Sequence, residues 1–130
     1  MKYYLDTCIW IDFIENRFDG LNPIGEYAFQ FLKKCRNRKH IICYSNHLIY
    51  ELGEHNYNFF EISKDFKEIL RKVKITNQDI QKSNDLKNTE SIPFGDAMHL
   101  ILAKNNKATL VSRDKHLIGF KETKKPEELI

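Results

Sequence analysis

The sequence lacks a long apolar run, a cysteine framework, glycine- or proline-rich tracts and a strong charge of either sign. Among its 130 residues no apolar stretch approaches the roughly 18–20 residues that a membrane-spanning helix needs. The opening segment carries Asp6 where a signal peptide has its apolar region, and it has no small-residue cleavage site, so a cytoplasmic protein is expected. The three cysteines, Cys8, Cys35 and Cys43, are odd in number, widely spaced and free of any C-x-x-C pair. They read as reduced, mostly buried small side chains rather than as disulfides or a thiolate metal site. No repeat, low-complexity tract or linker interrupts the chain. Hydrophobic residues make up 42% and charged residues 30%, an ordinary globular balance. One domain with one core is therefore expected over residues 1–130. The net charge of +3 is too mild to name a partner. Lys104, Lys107, Arg113, Lys115, Lys121, Lys124 and Lys125 concentrate toward the end, either as a track for a phosphate backbone or as a solvated face.

The order of elements is more informative. Tyr3-Tyr4-Leu5 reads as a short strand ending at Asp6. Ile9, Trp10, Phe13 and Ile14 fall at helical spacing within residues 8–18, and a second helix is expected from about Glu26 to Arg38. Ile41–Tyr44 reads as a buried strand, followed by a helix capped by Ser45 or Asn46 and carrying Leu48, Ile49 and Leu52. The spacing predicts a helix over Phe59–Lys72, a strand at Val73–Ile75 and a helix begun by Thr76 or Asn77. After the Ser91–Gly95 loop, Asp96–Asn105 is apolar nearly all round and should be a buried helix; Ala108–Val111 is a strand. Such alternation predicts an α/β fold, a three-layer α/β/α sandwich around a mainly parallel sheet. In that architecture the functional crevice lies beyond the carboxyl ends of the strands, where Asp6 and Asp114 fall.

Four acids, Asp6, Glu51, Asp96 and Asp114, stand out jointly. Singly, each has an ordinary explanation. Asp6 can cap a helix, Glu51 can be solvated, Asp96 can complement a helix dipole and Asp114 can close a turn. Together they occupy two strand ends, the start of a buried helix and the helix after the second strand, which the fold brings toward one crevice. His47, Glu51 and His55 share a helical face, but the pattern is not H-E-x-x-H and Gly53 interrupts it, which argues against zinc. His99, on the face of Asp96, reads as a structural histidine. The aromatic residues read as core or dimer interface rather than as base-stacking platforms.

The segments Asp6–Asp12, Ser45–Leu52, Phe94–Leu100 and Thr109–Asp114 resemble, in order, the motifs of the PIN domain. They look most like its small stand-alone members, the VapC-like toxins of toxin–antitoxin pairs, over about residues 3–118. The resemblance implies a five-stranded parallel sheet, a divalent cofactor (Mg²⁺ or Mn²⁺) and cleavage of single-stranded RNA to a 5′-phosphate and a 3′-hydroxyl. It also implies a small antitoxin partner and a homodimer. By motif position it assigns Asp6, Glu51, Asp96 and Asp114 as catalytic, with Asp6, Asp96 and Asp114 on the metal and Thr7 and Ser112 in support. Glu51 would orient the attacking water or accept its proton. Arg113 and Lys115 are expected either to steer RNA or to be solvated. Members of the family often carry a further acid two positions after the last one; here that position is His116. Carboxylates suit such a cofactor because Mg²⁺ is a hard cation that takes oxygen ligands. A housekeeping nuclease of rRNA or tRNA maturation and a non-catalytic RNA-binding module remain the alternatives.

Overall fold

Strand β1 (Lys2–Leu5) sends its side chains alternately into two cores. Tyr3 and Leu5 join Ile42 and Val111 on one face of the sheet, and Tyr4 joins Cys43 and Leu110 on the other. Both faces are thus apolar, as a parallel sheet covered by helices requires. The computed structural model describes all of residues 1–130. The chain continues through α1 (Thr7–Glu15), α2 (Ile24–Arg38), β2 (Ile41–Tyr44), α3 (Asn46–Glu54), α4 (Phe59–Ile62) and a 3-10 turn (Lys64–Ile69). It then forms β3 (Leu70–Lys72), α5 (Asn77–Glu90), α6 (Phe94–Asn105), β4 (Thr109–Val111), β5 (Thr123–Lys124) and a last 3-10 turn (Pro126–Glu128).

The five strands are all parallel, in the order β3-β2-β1-β4-β5. Helices α1 to α3 cover one face through Ile9, Trp10, Phe31, Leu32, Leu48 and Leu52. Helix α6 covers the other through Met98, Leu100 and Leu102, with α5 packed on it. This is the three-layer sandwich expected. Sheet register also fixes the site: Leu5 pairs with Val111, so Asp6 and Ser112 leave the sheet side by side.

Caps explain where helices begin and end. The Asp6 carboxylate accepts from the Cys8 N–H at the start of α1, and Asn16, left-handed at φ 50°, ends that helix earlier than the expected residue 18. Ser45 caps α3, and Thr76 with Asp79 forms a reciprocal capping box on α5. The expected helix over Phe59–Lys72 is broken instead. Ser63 turns its hydroxyl back onto the Phe59 carbonyl at 2.6 Å, and a 3-10 turn buries Phe66 against Phe13. Sheet pairing therefore falls on Leu70–Lys72, three residues before the expected strand; Val73 contributes only a last hydrogen bond to the Tyr44 carbonyl, at 2.8 Å. The two-residue β5 completes the five strands that the resemblance implies, although no apolar pattern marks its position in the sequence. No helix is long and apolar enough to cross a membrane.

Candidate active site

Asp6, Thr7, Glu51, Asp96, His99 and Asp114 line one open cleft of about 290 Å³ beyond the carboxyl ends of the central strands. Cys8, Ile11, Arg17, Glu54 and His55 complete its wall. Four separate elements deliver the acids: the β1–α1 junction, α3, the first turn of α6 and the turn after β4.

Asp6 is buried, and hydrogen bonds fix it. One carboxylate oxygen accepts from the Cys8 N–H at 2.8 Å and the other from the Ser112 hydroxyl at 2.5 Å. Ser112 in turn accepts from the Asp114 N–H at 3.0 Å, so one buried hydroxyl sets the positions of two acids. Asp6 is thus both a helix cap and a wall of the cleft, and its two readings from sequence do not exclude each other.

Asp96 has no such support. Its helix begins after Pro93 without a side-chain cap. Burial, then the charges of Asp114 and Asp6, push its carboxyl up to about 6, against weaker help from His99 and His116. A cation between these aspartates would relieve that crowding. The oxygen donors of Asp6, Asp96 and Asp114 therefore suit a hard divalent ion.

Glu51 lies in the opposite environment. Its Oε1 accepts from the Thr7 hydroxyl at 2.5 Å and from His99 Nε2 at 2.6 Å, while His47 Nε2 lies 3.2 Å from Oε2. Burial alone would raise its pKa, but the close approach of His47 and the bonds from His99 and Thr7 hold it far below the usual carboxylate range. Because a carboxylate only accepts, His99 carries the proton on Nε2; its other nitrogen lies 2.9 Å from the Tyr4 hydroxyl, which lies 2.7 Å from Ser45 Oγ. Burial would lower the His99 pKa, yet the bond to Glu51 and the surrounding carboxylates raise it. His99 is a satisfied buried histidine, as expected, but it also clamps a site acid.

Two expectations need correction. Arg113 does not reach toward the cleft. Its guanidinium forks onto Glu127 at 2.9 and 2.5 Å, lies 3.7 Å from Asp12 Oδ2 and sits over the Tyr27 ring. Bidentate geometry of this kind makes it a tie between the last 3-10 turn and α1. Lys115 is exposed, and Arg17, unnoticed in the sequence, lines the cleft instead. Helix α3 also runs unbroken through Gly53, and the third donor beside His47 and Glu51 is His99 rather than His55.

Gly95 was missed as a site residue. A Cβ there would lie 2.6 Å from Glu51 Oε2 and 3.4 Å from His47 Nε2. Gly95, in the first turn of α6, thereby lets that helix meet α3 without a side chain between them. His47 was weighed only for zinc, and His116, noted as a departure from pattern, faces Asp96 and Asp114.

A family model described as PIN domain matches residues 3–125. The fold is similar to a chain of a toxin–antitoxin complex from Klebsiella pneumoniae, with a TM-score of 0.69 and 20% identity, covering 95% of this chain and 97% of that one. It is also similar to a chain of VapBC2 from Rickettsia felis bound to a DNA fragment from their promoter, with a TM-score of 0.65 and 16% identity, covering 96% and 98%. No curated protein matches the sequence at significance. At these identities the solved structures bear on the fold alone.

Proposed function

This chain belongs to the PIN domain family, and from that premise we propose that it is a divalent-metal-dependent endoribonuclease, the toxin of a toxin–antitoxin pair. The observation that carries the reading is the convergence of Asp6, Asp96 and Asp114 on one cleft, where burial and then the two neighbouring carboxylates lift the Asp96 carboxyl to about 6. In this reading Asp6 and Asp96 hold the ion most directly, and Asp114 holds it directly or through water. Mg²⁺ or Mn²⁺ bound there supplies charge to polarise the scissile phosphate and to acidify a water. Ser112 keeps Asp6 and Asp114 aimed, and Thr7 does the same for Glu51.

Glu51 takes a narrower role than proton acceptor. A base works best with a pKa near the working pH, and the bonds from Thr7 and His99 with the nearby His47 hold this carboxylate far below it. Its part is to orient water and substrate as a fixed negative end. With Arg113 committed to Glu127, the exposed Lys115 and Arg17, half-exposed although its Nε donates to Glu15 at 2.8 Å, are the side chains that meet RNA phosphates. Single strands suit the cleft because their backbone can bend into it.

The names of the two similar structures support the toxin reading and a small antitoxin partner. An arginine from such a partner, forked onto Asp6 and Asp96, would block the cleft. A homodimer, which the family resemblance implies, belongs to the same reading; Tyr50 and Phe60 are among the large side chains left exposed. The test is sequencing of RNA ends after brief induction of the wild type and of Asp96→Asn. New 5′-phosphate ends confined to the wild type are expected. The same ends from both proteins, or cleavage by the purified wild type in excess EDTA, would overturn the reading.

A further inference from the structure

The acid cluster has a nitrogen donor at its edge, and a role for that donor rests on the proposed metal site of the aspartates. His116 Nδ1 lies 3.0 Å from Asp114 Oδ1 and 3.2 Å from Asp96 Oδ2. One donor atom from each of the three residues falls within 4.8 Å of the other two. Nδ1 is shut off from solvent yet makes no hydrogen bond, although the ring as a whole is 38% exposed. A second tie fixes the ring's backbone, whose N–H donates to Asp114 Oδ1 at 2.8 Å. The far side of the residue borders a separate small hollow shared with Glu90 and Ile92. The imidazole is therefore held with one nitrogen toward the two carboxylates.

The spacing is that of neighbouring ligands around one ion. For metal–ligand bonds of about 2.1 Å, adjacent corners of an octahedron lie about 3 Å apart. We propose that His116 Nδ1 is a direct ligand of the divalent ion, shared with Asp96 and Asp114, and that it turns the site's preference from Mg²⁺ toward first-row transition ions such as Mn²⁺. The chemistry comes from donor type. Carboxylates and water serve Mg²⁺ and Mn²⁺ alike, but an imidazole nitrogen adds affinity for transition ions and little for Mg²⁺. A histidine where a carboxylate might stand also leaves the bound site one negative charge poorer, which weakens Mg²⁺ most because Mg²⁺ is bound mainly by charge. The competing reading is that His116, in its protonated form, only neutralises the two aspartates and leaves the site when a metal enters.

Two measurements on the full chain separate these readings. Pulsed EPR of bound Mn²⁺ should show coupling to a ¹⁴N nucleus that disappears in His116→Gln. Calorimetry should show the Mn²⁺-to-Mg²⁺ affinity ratio falling at least about tenfold in His116→Asp, which restores an oxygen donor, with Mg²⁺ binding kept or tightened. A thermal melt of each variant confirms that it is folded, and either variant alone suffices. Nitrogen coupling that persists in His116→Gln, no coupling in the wild type, or an unchanged ratio in His116→Asp would overturn the proposal. If Asp96→Asn loses Mn²⁺ binding while the wild type shows no nitrogen coupling, only the role of His116 falls. If Asp96→Asn binds Mn²⁺ as tightly as the wild type, the aspartate site falls with it.

Discussion

Glu51 and Asp96 line the same cleft in opposite surroundings. Three side chains, Thr7, His47 and His99, converge on Glu51 and keep it ionised. Asp96 is half-buried beside Asp6 and Asp114, and its carboxyl is lifted to about 6. One acid has its charge balanced by neighbouring donors; the other sits beside two further carboxylates, with weaker help from His99 and His116. The contrast separates two jobs that a count of four acids would merge. In the proposed function, metal binding falls to the aspartate side and positioning to the glutamate side.

The largest expected effect tests the aspartate side. Asp6→Asn and Asp96→Asn should each lower Mn²⁺-dependent cleavage of single-stranded RNA at least about a hundredfold, because each removes a charge that holds the ion. Asparagine still caps a helix, so circular dichroism should report an unchanged fold for Asp6→Asn. The glutamate side should respond differently. Glu51→Gln should reduce cleavage roughly tenfold, the low end of what loss of a supporting partner costs, while Mn²⁺ affinity by calorimetry stays within about twofold. A loss of metal binding in Glu51→Gln as large as that in Asp96→Asn would erase the distinction.

A smaller effect probes the contact between the two sides. In Gly95→Ala the new methyl lies 2.6 Å from Glu51 Oε2, so the carboxylate must move away from His47 or α6 must shift. A stability loss of about 1–3 kcal/mol in urea titration is expected, the range for overpacked sites, together with reduced cleavage. Full activity with unchanged stability would mean that the start of α6 adjusts freely and does not set the position of Glu51.

Residues 3–7 and 109–114 announce their place in the sequence because short apolar strands lead into polar segments that hold acids, Asp6 at once and Asp114 after Ser112 and Arg113, and parallel pairing of Leu5 with Val111 aligns Asp6 with Ser112. Ser45 and Thr76 were readable as caps for the same local reason. The clamp on Glu51 was not readable. It joins Thr7, His47 and His99 across three elements, and nothing within any one segment marks the meeting. Arg113 misled because its neighbour in sequence is Asp114, whereas its partners in space are Asp12 and Glu127. The pairing of β3 shifted for a tertiary reason too: burying Phe66 broke a helix that local periodicity favoured. Gly95 carries its meaning only once α3 lies against it.

The smallest effects concern stability, and their sign is set by the Asp96 shift. Its folded pKa of about 6 lies above the ordinary value of 3.8, so the folded state holds a proton that the unfolded chain has released. That contribution is present below pH 3.8 and is lost as pH rises through 6. Asp96→Asn removes the loss. Without metal it should be the more stable protein at pH 7.5 and not at pH 3.5, by about 1 kcal/mol once solvent screening of a partly exposed group is allowed for. Asp12 is also lifted to about 6, by burial, but it is common to both proteins and cancels in the difference.

A thermal melt of wild type and Asp96→Asn at pH 7.5 and fixed ionic strength, with and without Mn²⁺, tests most directly whether the aspartates form a cation site. An ion at about ten times its Kd stabilises the folded state by roughly 1.4 kcal/mol, which for a chain of this size is a rise of about 3–5 °C. That rise is expected in the wild type, and a smaller one with Mg²⁺ at equal concentration. Asp96→Asn should melt at or above the metal-free wild type and gain little from either ion. Equal metal-induced shifts in the two proteins would place the ion elsewhere and contradict the account.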